Sequence, residues 1–143
     1  MTSNADQPDR LAASEVAAEL AARFADAWNR HDTDELASLF DDDASFVNVV
    51  GAHLRGRDAI RQAHASVHAG PYRNSRILVE VEDVRELAPN VIVAHVRTEL
   101  EGDDRVPGEI RRSLLTLVIH RGRGGWDIDT AQNTFVVVPS PRR

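Results

Sequence analysis

A chain of 143 residues with 42% hydrophobic content is long enough to bury one core and short for two domains. Its net charge of −6, with acidic residues spread along the chain, disfavours nucleic acid or an anionic membrane as partner, and the lack of cysteine excludes disulfides and thiolate chemistry. No signal-like or membrane-length apolar run is present, so the expected location is cytoplasmic.

Residues 1–10 are polar and contain Pro8, which predicts a loose arm ahead of a single domain over 11–138; PSPRR, residues 139–143, predicts a flexible tail. Over residues 11–30, Val16, Leu20, Phe24 and Trp28 recur every fourth position, the spacing of one helix face. Asp32 opens a second, short helix, with Glu35 as capping-box partner and Leu36, Leu39 and Phe40 as apolar stripe. The triplet Asp41-Asp42-Asp43 reads as a solvated turn, because three adjacent side chains cannot all converge on one cation. Residues 45–50 predict a strand ended by Gly51, and residues 57–69 a third helix with Asp58 in its first turn and Gly70-Pro71 as its stop.

After Pro71 the period changes to two. Residues 76–86, 91–101, 109–120 and 126–138 predict four strands joined as hairpins. The fold class is therefore α+β, with helices on one face of an antiparallel sheet. The run LLTLVI at 114–119 is apolar on both alternating sets, which calls for cover on both sheet faces. A homodimer through the sheet would supply it.

The candidate chemistry is sparse. His64 and His68 are four residues apart on one helix face, a zinc-compatible spacing. However, Ala65 stands where a zinc protease keeps its glutamate, and a third ligand would have to come from His53 or a distant acid. No metal or other cofactor is expected. Ile60, His64 and Val67 share a stripe, which places His64 inside an apolar cup. His31 follows the first helix and is expected to help end it, His95 faces outward and His120 ends a strand. In the last strand Gln132 and Asn133 are mid-strand amides, whose burial requires partners.

Four stretches, AWNRHDTDELASLF, DDDASFVNVVG, GRDAIRQAH and GGWDIDTAQNT, occur in an order that resembles the nuclear-transport-factor-2-like (SnoaL-like) superfamily. Within it they most resemble the SgcJ/EcaC group, whose SgcJ branch is associated with enediyne polyketide biosynthesis. The resemblance implies a cone: a strongly curved antiparallel sheet wrapped around helices, a pocket between them, and commonly a homodimer. Ketosteroid isomerase shares that cone and works with an aspartate base, a tyrosine and a protonated aspartate. The resemblance lays those positions on Asn48, Phe24 and a point near Thr116, so that apparatus is missing. A further pocket tyrosine of that enzyme falls on His64. Cyclases of this cone use a pocket carboxylate, which Asp127 or Asp129 would have to supply here through a bulge.

The expected function is binding of a hydrophobic small molecule, a polyketide-type intermediate of bacterial secondary metabolism. Phe24, Trp28, Phe46, Ile60, Val96 and Val118 are the expected walls; Asn48, His64, Gln132 and Asn133 are expected to orient the ligand. Arg112 is the one arginine expected near the cup. His64 is the expected proton-transfer group and Asn48 the holder of a carbonyl or enol, in a cofactor-free cyclisation, dehydration or isomerisation. The alternative is a non-catalytic association domain assisting a polyketide synthase or tailoring enzyme.

Overall fold

A computed structural model describes residues 3–122 and 124–137, with 3–11 described by backbone alone. The elements are α1 (Ser3–Asn29), α2 (Thr33–Ser38), β1 (Phe40–Val47), β2 (His53–Arg55), α3 (Arg57–Ala69), β3 (Arg76–Ala88), β4 (Val91–Glu101), β5 (Arg111–Gly122) and β6 (Gly125–Phe135). The strands form one sheet in the order β2-β1-β6-β5-β4-β3. Only β1 and β6 run parallel; every other neighbouring pair is antiparallel. The sheet is curved and unclosed, and all three helices precede its long hairpins, in the α+β cone expected.

Three boundaries differ from the pattern reading. The backbone of α1 begins at Ser3, so the expected arm over 1–10 is helical from that residue, while 139–143 lies outside the described residues. The three-residue strand β2 is too short for any alternation to show. The aspartate triplet belongs to β1, where a register shift between Phe40 and Ser45 accommodates it. Asp42 and Asp43 there face solvent, and Asp41 is half-buried.

Helix α1 lies on β3 and β4 through Ala13, Ala17, Leu20, Ala21, Phe24, Ala27 and Trp28. Its small alanines let the helix axis come close to the sheet, while Phe24 and Trp28 fill the wider end. It stops in a paired cap: His31 N–H donates to Trp28 O and Asp32 N–H to Ala27 O, both at 2.9 Å. His31 takes the left-handed backbone, φ 56°, that this termination requires. Asp32 then caps α2, its Oδ1 accepting from Glu35 N–H at 3.0 Å. The Glu35 side chain turns to Arg23 instead of completing the box. Asp32→Ala is expected to cost about 1 kcal/mol, read as a shift in the denaturant midpoint at unchanged m-value.

The bottom of the cone is solid. Leu36, Leu39, Phe40, Ile60, Ile92, Val96, Leu117, Ile119 and Ile128 are fully buried there. On β5 the inward set is Ser113, Leu115, Leu117 and Ile119; Leu114, Thr116 and Val118 stand half-exposed on the outer face. On β6 a bulge falls between the pairs Val118–Thr130 and Ile119–Ile128, so Asp129 is the extra residue. Ile128 before it and Ala131, Asn133 and Phe135 after it therefore share the inner face, which strict alternation would have divided.

Candidate functional site

Above this filled core, between the sheet and helices α1 and α3, lies a cavity of about 320 Å³. That is the small end of the roughly 300–1,000 Å³ of small-molecule sites. The helical period brings Phe24 and Trp28 to it from α1, and Ala63, His64 and Val67 from α3. The strand period brings Thr98 and Leu100 from β4, Arg111, Ser113 and Leu115 from β5, and Asn133 and Phe135 from β6. Phe46, Asn48 and Leu54 close it beside β1 and β2, and Tyr72 and Arg105 come from loops.

Trp28 is the centre of the aromatic wall. Its ring centroid lies 6.0 Å from Phe24, 5.4 Å from Tyr72 and 4.5 Å from His68. The indole N–H donates to Ser75 Oγ at 3.0 Å, and that hydroxyl donates to Tyr72 O at 2.8 Å. The buried indole is thereby satisfied and held in one orientation.

His64 is 7% exposed and packs edge-on against Phe46, with ring centroids 5.3 Å apart. Its Nδ1 lies 2.8 Å from Ile60 O. A carbonyl only accepts, so Nδ1 carries the proton of the neutral ring and Nε2 keeps the lone pair. Burial pushes the His64 pKa below the ordinary imidazole value, partly offset by the Ile60 carbonyl. At neutral pH the cavity thus presents an uncharged imidazole, oriented from behind.

One turn further on, His68 meets His31, their Nδ1 atoms 2.8 Å apart, so one ring donates and the other accepts. Burial, then the neighbouring His31 and His64, lower the His68 pKa to about 4. These engagements occupy the Nδ1 atoms of His64 and His68, and the third ring, His53, is paired with Ser45 Oγ at 2.5 Å. Among the described residues, the set of three ligand-type atoms that do approach one another is Asp41, His120 and Asp127, within 4.8 Å. It sits at the opposite ends of β1, β5 and β6 from the cavity.

The amides divide sharply. Asn48 Oδ1 accepts from Val50 N–H at 3.1 Å and Ala52 N–H at 2.9 Å. The turn therefore consumes the acceptor and leaves the NH₂ as the group Asn48 can offer. Asn133 Oδ1 is buried without a partner among the described residues. Thr98 and Ser113 hydroxyls bond each other on the neighbouring strands β4 and β5 of the cavity wall.

Of the expected site residues, Phe24, Trp28, Phe46, Asn48, His64 and Asn133 line this cavity. The other four do not. Ile60 and Val96 are fully buried below it, in the filled core. Val118 faces outward, paired with Val93, because its parity is opposite to Leu117. Gln132 is exposed on the outer face, because the bulge at Asp129 gives the inward place to Asn133. Thr116 is likewise on the outer face, and neither Asp127 nor Asp129 lines the cavity. Arg112 points out towards Glu99, and the arginines at the rim are Arg105 and Arg111. Tyr72 and Arg105 had no periodic signal, since each stands in a loop whose path only the fold determines.

Residues 21–125 match the family model of the SnoaL-like domain. No curated protein matches the chain. Among solved structures, the chain is similar to a domain of unknown function with a cystatin-like fold from Nostoc punctiforme, at 27% identity and TM-score 0.80, covering 89% of this chain and 79% of that one. An uncharacterised protein with a cystatin-like fold from Caulobacter vibrioides is 27% identical with TM-score 0.78, covering 87% and 90%. An NTF2-like protein from Novosphingobium aromaticivorans shares the fold at 22% identity and TM-score 0.75, covering 95% and 90%. With the match running from the middle of α1 to the first residue of β6, the chain belongs to the SnoaL-like domain family.

Proposed function

We propose that the cavity binds a hydrophobic small molecule, a polyketide-type intermediate of bacterial secondary metabolism, and that His64 moves a proton on it. The observation that carries this reading is the state of His64: buried on the cavity wall, anchored through Nδ1, with Nε2 unmatched by any protein partner among the described residues. Aromatic and aliphatic walls hold the body of the ligand. The Asn48 NH₂ steadies a carbonyl or enolate oxygen while Nε2 accepts the proton from the adjacent carbon and returns it elsewhere. Cyclisation, dehydration and isomerisation all run on such a transfer without a cofactor. The motif resemblance to the SgcJ/EcaC group supports enediyne-type biosynthesis as the pathway class.

The expected outcome is that emodin, an aromatic polyketide, raises the melting temperature in a saturable way. Folded His64→Ala and Asn48→Ala variants are expected to lose pathway product in the producing cell. Unchanged product from both variants refutes the proton-transfer role, and no shift with emodin weakens the pocket reading.

A second reading is favoured by the outer face of the sheet. Val93, Leu114 and Val118 stand half-exposed there around Thr116 and His95, a mixed face suited to a second copy of the chain in a homodimer. An accessory role beside a polyketide synthase or tailoring enzyme would use the same scaffold without chemistry.

A further inference from the structure

The rim of the cavity carries a charge imbalance that an apolar ligand alone leaves unanswered. Asp103, whose side chain is fully buried, is gripped by Arg105: Nε to Oδ1 and an NH₂ nitrogen to Oδ2, each at 3.0 Å, with the Arg105 backbone N–H also on Oδ1 at 3.0 Å. One carboxylate is thereby matched to one guanidinium. Arg111 approaches the same Asp103 only to 3.6 Å, beyond a hydrogen bond. It stacks on the Phe135 ring, 4.2 Å from the centroid, with its side chain 29% exposed.

Arg111 therefore lines the cavity with its donors unspent, making no hydrogen bond among the described residues. This contrasts with Arg112, its neighbour in sequence, which is exposed on the outer face beside Glu99. In a chain of net charge −6 a half-buried cation at a pocket mouth that shares its carboxylate with a second guanidinium stands out. A purely apolar ligand filling the cavity would strip water from those N–H groups and return nothing, and a neutral carbonyl would return one uncharged acceptor. A carboxylate would accept two of them side by side.

We infer that the ligand is an organic acid: an apolar, compact body seated between Trp28, Phe46 and Leu115, with a carboxylate at the mouth held by Arg111. This rests on the ligand-pocket reading above and adds the charge of the ligand to it. The bidentate pairing is the recognition element; Phe135 keeps the guanidinium planar against the wall, and Asp103 fixes its height.

The test compares naphthoic acid with naphthamide, equal in shape and different in charge, by calorimetric titration at neutral pH. The acid is expected to bind at least about tenfold more tightly, the worth of a hydrogen bond to a charged group. Arg111→Gln is expected to level the two, and Arg111→Lys to restore part of the preference; circular dichroism checks that each variant folds. Equal affinities in the unaltered protein, or a preference for the acid that survives Arg111→Gln, would overturn the assignment while leaving the pocket reading intact. Failure of both compounds, and of emodin, to bind overturns the pocket reading and this inference with it.

Discussion

Gly102→Ala is expected to destabilise the protein by about 3 kcal/mol, seen as a melting temperature lower by roughly 10 °C. Gly102 has φ +83°, a conformation that alone costs an L residue about 1 kcal/mol. A Cβ there would also stand 2.5 Å from Asn74 O and 3.1 Å from Ser75 Cα. Both are backbone atoms, so no side chain can swing aside, and the segments must separate. Gly108 provides the internal control: its φ is +78° but a Cβ would meet nothing within 4 Å. Gly108→Ala is expected to cost only about 1 kcal/mol, the backbone term alone. Equal losses in the two variants would disprove the close approach. The strain from Gly102→Ala runs two ways, to Ser75 under Trp28 and to Asp103 between Arg105 and Arg111. Ligand affinity should therefore fall along with stability.

The second large effect is a loss of stability in mild acid. The pKa of His68 falls from 6.5 unfolded to about 4 folded, so between those values the unfolded chain binds a proton that the folded chain refuses. Stability is full above pH 6.5 and declines as pH falls towards 4, by roughly 1–2 kcal/mol at pH 5 once partial solvent contact is allowed for. His64, lowered by its burial, adds in the same direction. Asp103 does not contribute in this window. Its pKa is held below the usual carboxylate value by Arg105, so its stabilisation is lost only at lower pH. Chemical denaturation at pH 7.5 and pH 5 measures the difference, and His68→Phe is expected to flatten it. A profile unchanged by His68→Phe would mean that the ring protonates freely in the fold.

Most of the architecture was legible because it is written in long periodic stretches. The fourfold recurrence of Val16, Leu20, Phe24 and Trp28 and the alternation of residues 91–101 each persist long enough to identify their element. Short or non-repeating features were not. His53–Arg55 offers three residues to a pattern that needs more, and Tyr72 and Arg105 reach the cavity from loops. The candidate site was half visible for the same reason. Phe24, Trp28 and His64 follow from the helical period, whereas Gln132 and Asn133 depend on parity, which one bulge reverses. Ile60 and Val96 show another limit. Period assigns a face, but depth along that face decides between packed core and cavity wall.

That bulge lets the last strand absorb the loss of one residue without changing its inner face. Removing Asp129 would join Ile128 directly to Thr130 and restore a plain alternation, with Thr130, Gln132 and Thr134 still outward and Ala131, Asn133 and Phe135 still inward. The guanidinium of Arg111 would keep the ring it rests on in the same event. Among relatives of this fold, the loss of a single codon at the start of the last strand is thus a change of length that leaves the cavity wall in place.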